Sequence, residues 1–300
     1  MSQRVRKNID CGKVRYVHNF IAPMFGNHAP RRKRSSETCP AVKKCNDDHN
    51  IDYVNAVLTM NFTVHDWHIA LTYSDECADR LDEERVLKDR RNFITKLRRR
   101  CQKLGIELKY LTMTEQGVRS KRWHHHFVLP KEIPIPLLYE CWGFGHIRIL
   151  NTLYESPDDF RGLAKYYVDK SKGGTKEDDR LKGQHRYSFS RNCEKPEVTY
   201  ETGLAASWRS VPIPPDGWTV KPGSLFNGID ELSGYPFQKY TLVRVPDECM
   251  PVRGKLTETQ KMEIFSDKQK KVSQKETAQR LGISTRTVRR ILQEFKSRKE

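Results

Sequence analysis

The stretch Lys121-Arg122-Trp123-His124-His125-His126-Phe127-Val128-Leu129 constrains this chain more than any other, because three consecutive histidines run into an apolar segment with no glycine or proline to break it. The segment reads as a strand. Successive side chains of a strand take opposite faces, so His124, His126 and Val128 point one way and Trp123, His125, Phe127 and Leu129 the other. Two imidazoles side by side on one surface can share a metal ion. The same pattern also describes three unconnected histidines on an exposed strand, and the stretch alone supports either reading.

The chain's charge narrows the partners. A formal net charge of +17 over 300 residues calls for a polyanion, either nucleic acid or an anionic membrane surface. No stretch approaches the roughly 18 apolar residues of a membrane span, and Met1-Ser2-Gln3-Arg4-Val5-Arg6-Lys7 lacks the apolar centre of a signal peptide. Nucleic acid is therefore the expected partner, with no membrane. The eight cysteines form no C-x-x-C pair, which argues against a zinc ribbon or a disulfide framework and for a reducing cytoplasm.

The pattern along the chain suggests an α+β fold with a small helical module at its C-terminal end. The first forty-odd residues, including Arg31-Arg32-Lys33-Arg34, read as a basic, irregular arm. From Asp52, Val54, Val57 and Leu58 recur at helical spacing. His68–Tyr73 alternates as a first strand, and Asp82–Leu104 forms a long amphipathic helix closed by Gly105. Ile106–Glu115 is a second strand, joined by the turn-like Gln116–Ser120 to the histidine strand in an antiparallel hairpin. Glu115 then lies near His124 and His126. A short helix around Leu137–Cys141 and a strand at Gly145–Leu150 follow. Ser156-Pro157-Asp158-Asp159 starts a helix running to about Lys172, with Phe160, Leu163, Ala164 and Tyr167 on one face. His185–Ser190 alternates as a fifth strand. Residues 201–254 are rich in proline and glycine and read as a connector. In Thr277–Leu292 a small residue and a leucine, a turn glycine, a Ser cap and an inward Val288, Ile291 and Leu292 give the layout of a helix-turn-helix. Thr285, Arg286, Thr287, Arg289 and Arg290 face outward on its second helix, available to bases and phosphates. The expected division is a basic extension at 1–50, a catalytic domain at 51–200, the connector at 201–254 and the DNA-binding module at 255–300.

Two imidazoles and a carboxylate converging on an antiparallel sheet need one more group to make a nuclease. Tyr167 supplies a nucleophile on the helix face turned toward the sheet, with Lys170 three residues on. A phenol's ordinary pKa is about 10, so it needs a cation nearby to react as phenolate. A divalent ion on Glu115, His124 and His126, Mn²⁺ or Mg²⁺, would polarise a DNA phosphate. Attack by Tyr167 would leave a 5′-phosphotyrosine and a free 3′-hydroxyl.

These residues resemble a known family. Leu71-Thr72-Tyr73, His124-His125-His126 and Tyr167-Val168-Asp169-Lys170, in that order, are similar to the motifs of rolling-circle replication initiators of plasmids and single-stranded DNA phages, within the HUH endonuclease superfamily. Glu115 stands where members place an acidic ligand, and the likeness spans roughly residues 65 to 200. It implies a five-stranded antiparallel sheet flanked by helices, single-stranded and duplex origin DNA as substrate, and a bacterial cytoplasmic host supplying polymerase. The chain has no G-x-x-x-x-G-K-[ST], so a host helicase would unwind the template. Two positions depart from the family pattern. His125 stands where members carry a hydrophobe, and Tyr166 adjoins Tyr167, diverging from it by about 100° on a helix. One nucleophile is expected, Tyr167, with Tyr166 second. A relaxase or a single-strand transposase shares the chemistry. A helix-turn-helix regulator with structural histidines and a hydrolytic metallonuclease are the rival classes.

Overall fold

A computed structural model describes residues 3–22, 40–78, 82–117, 122–150, 159–170, 187–203, 208–231, 233–245, 256, 258–281 and 283–297. The chain forms two compact units, Met1–Trp208 with Leu225–Thr241, and Arg209–Ser224 with Leu242–Glu300.

The first unit is built on a five-stranded antiparallel sheet. It contains β3 (Trp67–Thr72), β4 (Leu111–Gln116), the histidine strand β5 (Trp123–Leu129), β6 (Ile147–Ile149) and β7 (Tyr187–Phe189), in the order β6-β3-β5-β4-β7. This is the sheet expected from the sequence, with β4 beginning later than the expected second strand. Helices cover both faces, so its strands are apolar on both sides. Ile69, Leu71, Phe127 and Leu129 point toward α3 (Glu83–Lys103) and α4 (Ile135–Cys141), where they bury Phe93, Leu97 and Trp142. Leu111, Met113 and Val128 point the other way, toward α1 (Pro40–Asn61) and α5 (Arg161–Lys170).

The termini of α3 follow their sequence signals. The Asp82 side chain accepts the N–H of Arg85, and Gly105 follows the helix at φ +69°, a conformation that costs glycine least. Gly145 is needed for a different reason. A Cβ there would clash with Thr72 O and sit 2.6 Å from Ser74 N, where the chain entering β6 closes against the end of β3.

Helix α1 lacks a single apolar stripe because it buries two faces. Val54, Val57 and Leu58 pack on the sheet and α5, while Ala56 packs against Ile9 and Cys11. Those last two belong to a hairpin of β1 (Gln3–Asp10) and β2 (Val14–Ala22), which corrects the reading of this stretch as an irregular arm. Its strands lie in a second sheet, flanked by β8 (Glu197–Glu201) on one side and β11 (Pro236–Arg244) on the other, with β10 (Phe226–Ile229) beyond β11. Arg6, Lys7 and Arg15 sit among Val5, Ile9, Val14 and Val17, so the charge hides the strand alternation, and the second partner of β1, β8, lies some 190 residues away. The basic run at 31–34 and Ser156 to Asp158 lie outside the described residues.

The second unit pairs β9 (Trp218–Val220) with the last residues of β11, so the segment read as a connector contains strands. It also holds α6 (Glu258–Gln269), α7 (Gln274–Arg280) and α8 (Thr285–Ser297) around Leu256, Ile264, Ala278, Val288, Ile291 and Leu292. Ser273 and Glu276 form a reciprocal capping box at the start of α7. Asp267 on α6 accepts hydrogen bonds from Thr277 (3.0 Å) and Arg280 (2.6 Å) on α7. No helix among the described residues is long and apolar enough to cross a membrane.

Leu58, fully buried where α1 meets the sheet, gives a direct test of this packing. Replacing it with alanine should cost about 2–5 kcal/mol in denaturant unfolding, whereas a loss under about 1 kcal/mol would mean that α1 is not held between the two layers.

Candidate metal centre and nucleophile

Strand alternation and register build the site together. His124 and His126 leave β5 on the face covered by α1 and α5, and the β4 register sets Glu115 directly opposite His124. On the other side of β5, β3 opposes the two histidines with the short side chains of Thr72 and Ala70. His124 Nε2 lies 2.6 Å from Glu115 Oε1, and His126 Nε2 lies 3.4 Å from the same oxygen. The three ligand atoms fall within 4.8 Å of one another, the one such group of three among the described residues.

Glu115 and His126 are buried and His124 is half-buried. Burial alone would raise the Glu115 carboxyl, but hydrogen bonds from His124 and His126, and their charge, outweigh it and hold the group down to about 2. The carboxylate is therefore ionised across the working range. His124 Nδ1 lies 3.3 Å from Arg122 O, so Nδ1–H has an acceptor when Nε2, which donates to Glu115 in the metal-free site, gives up its proton to bind a metal. Two imidazoles and an ionised carboxylate with inward donor atoms fit a first-row divalent ion, and suit Mn²⁺ better than Mg²⁺ on softness grounds.

The tyrosines depart from expectation. Tyr166 brings its hydroxyl to 3.1 Å from His126 Nε2, and its ring meets the His126 ring edge-on at 5.3 Å. Tyr167 is fully buried among Val54, Leu58, Phe160 and Leu163, and its hydroxyl finds no hydrogen-bond partner among the described residues. Burial pushes both phenols up, with Glu115 adding to the effect. The stripe Phe160, Leu163, Ala164 and Tyr167 does face the sheet, but its centre meets the apolar core. The polar cluster lies at the stripe's edge, where the adjacent residue projects. Lys170 ends α5, and its side chain lies outside the described part of the structure.

His68 joins this face and was missed from the sequence. Its ring lies 6.0 Å from that of His126, 6.1 Å from Tyr166 and 5.9 Å from Tyr167. The signal was present, since alternation along β3 puts His68, Ala70 and Thr72 on one side. His125 points to the opposite face as expected, fully buried, and burial with the nearby Arg90 pushes its imidazole well below the usual value.

Residues 66–172 match the family of the Replication-associated protein ORF2. The matched 107 of the chain's 300 residues are similar to a Rep-type replication family. This match supports the likeness to rolling-circle initiators, and the matched segment contains Glu115, His124, His126, Tyr166, Tyr167 and Lys170. Residues 255–300 match the Homeodomain-like domain family. No curated protein and no solved structure gave a significant match. Together the two families support DNA binding by this chain.

In the homeodomain-like segment, the expected DNA-facing residues lie on α8. Thr285, Arg286, Arg289 and Arg290 are exposed, and Arg289 Nε donates to Gln274 Oε1 at 3.2 Å. Thr287 is half-buried and belongs to the cap instead, its N–H donating to Ser284 Oγ at 3.0 Å. Gly282, read as the turn residue, lies outside the described residues.

Mn²⁺ should raise the melting temperature of the protein. A free concentration of about 100 times Kd stabilises by about 2.7 kcal/mol, and Glu115→Gln should remove most of that gain. An equal gain in the variant would mean that the metal binds elsewhere.

Proposed function

We propose that this chain is a site-specific DNA nicking and joining enzyme that starts rolling-circle replication, with Tyr166 as the nucleophile. The observation that supports this reading most is the 3.1 Å separation of the Tyr166 hydroxyl from His126 Nε2, beside the Glu115–His124–His126 cluster and inside the Rep-matched segment. Tyr166 Oη attacks the scissile phosphorus and the P–O3′ bond breaks. The products are a 5′-phosphotyrosine and a 3′-hydroxyl, the proton lost by the phenol balancing the one gained by the 3′ oxygen.

A divalent ion on Glu115, His124 and His126 would polarise a non-bridging phosphate oxygen and offset the charge that builds up in displacement. Without such a cation the phenol is held protonated by burial and by Glu115. Glu115, ionised and shared between two imidazoles, keeps both rings turned into one site. Lys170 follows Tyr166 by four residues in α5, a spacing that places two residues on one helix face, so it is the proposed second cation. Tyr167 packs the core beneath. The 3′-hydroxyl serves as primer for a host polymerase, a host helicase opens the template, and the homeodomain-like segment locates duplex origin DNA through Arg286, Arg289 and Arg290.

Incubation with Mn²⁺ and a labelled hairpin oligonucleotide from the chain's own locus should yield an adduct that survives denaturation. Tyr166→Phe should lower its yield at least about 100-fold, while Tyr167→Phe should retain it. The reverse result would overturn the choice of tyrosine. Cleavage without adduct would indicate a hydrolase, and duplex binding without cleavage a regulator.

A further inference from the structure

His125 stands at the centre of the histidine strand, on the face away from the cluster, within a line of side-chain hydrogen bonds. Its Nδ1 lies 2.8 Å from Thr114 Oγ1, which accepts from Arg90 Nη1 at 2.9 Å. Its Nε2 lies 3.1 Å from the Tyr73 hydroxyl.

A guanidinium only donates, so Thr114 Oγ1 accepts from Arg90 and its own hydroxyl proton can go to His125 Nδ1. With Nδ1 accepting in the neutral ring, Nε2–H donates to the Tyr73 oxygen. Arg90 belongs to α3, so the line ties the middle of the histidine strand to a 21-residue helix.

Thr114 and His125 are cross-strand partners, and the next pair in the register is Glu115 and His124. The 2.8 Å bond on one face and the 2.6 Å bond on the other thus fasten the same junction of β4 and β5. An apolar residue at 125 would fill the space and leave the Thr114 hydroxyl and the Tyr73 oxygen unmet. We propose that His125 is a positioning residue for the metal centre, acting through Thr114 and Tyr73 to hold the β4–β5 junction in the pleat that aims Glu115, His124 and His126 at one point. The proposal rests on reading those three residues as metal ligands.

Mn²⁺ titration followed by electron paramagnetic resonance tests it, since a residue that only packs would change the melting temperature and not the affinity. His125→Leu should weaken Mn²⁺ binding about tenfold or more, the effect usual for lost partners behind metal ligands. His125→Gln should recover affinity to within about threefold, because its amide can accept from Thr114 and donate to Tyr73. Tyr73→Phe, which keeps the ring and removes one hydroxyl, should weaken binding in the same direction and decides the matter if the leucine variant does not fold. Parent affinity in His125→Leu or in Tyr73→Phe, or no recovery in His125→Gln, would overturn the proposal. Glu115→Gln separates the two levels: if the parent protein shows no Glu115-dependent Mn²⁺ binding, the metal reading itself fails and this proposal falls with it.

Discussion

Strand β5 is buried on both faces, and its alternation divides three consecutive histidines between two environments. His124 and His126 meet Glu115 on the side covered by α1 and α5, while His125 meets Tyr73 and Thr114 on the side covered by α3. A slip of one residue against β4 would exchange these faces, placing His125 opposite the carboxylate and two imidazoles in the α3 core. Register is therefore the quantity on which the site depends. The two cross-strand hydrogen bonds at the β4–β5 junction supply polar specificity for it, and the apolar residues Phe127, Val128 and Leu129 at the buried end of the strand supply the bulk of the driving force.

That dependence explains why so much of the site was legible in the sequence. A period of two identifies faces without reference to distant structure, so His124, His126 and the separate fate of His125 follow from local pattern. Glu115 follows from the short connection between the two strands. The helix was harder to read. Its apolar stripe correctly indicates which side turns to the sheet, but the stripe's centre seeks the driest part of the core, and Tyr167 is buried there with a hydroxyl that has no hydrogen-bond partner among the described residues. A nucleophile must reach polar atoms, and the neighbour at the margin, Tyr166, does so. Alternation alone puts His68 on the same side of β3 as Ala70 and Thr72, but only the strand order sets that side beside His126.

Outside the sheet, legibility fell where pairing is non-local. The β1–β2 hairpin is a local unit, yet its neighbours β8 and β11 come from the far end of the first unit, and basic residues on its half-exposed positions mask the apolar alternation. Helix α1 gave a weak amphipathic signal for a related reason, being apolar toward two layers at once. The helices of the homeodomain-like segment were readable because caps, turn and apolar spacing all lie within about forty residues. One detail differs there, since Thr287 serves the cap of α8 where an outward contact was expected.

The central claim is that Glu115, His124 and His126 hold one divalent ion with the Tyr166 hydroxyl beside it. Anomalous diffraction from crystals of the protein grown with Mn²⁺ tests this most directly. The account predicts a peak bonded to Nε2 of both histidines and to the Glu115 carboxylate, with the Tyr166 oxygen nearer to it than the Tyr167 oxygen. A peak at other residues, or one approached by Tyr167 with Tyr166 turned away, would contradict it.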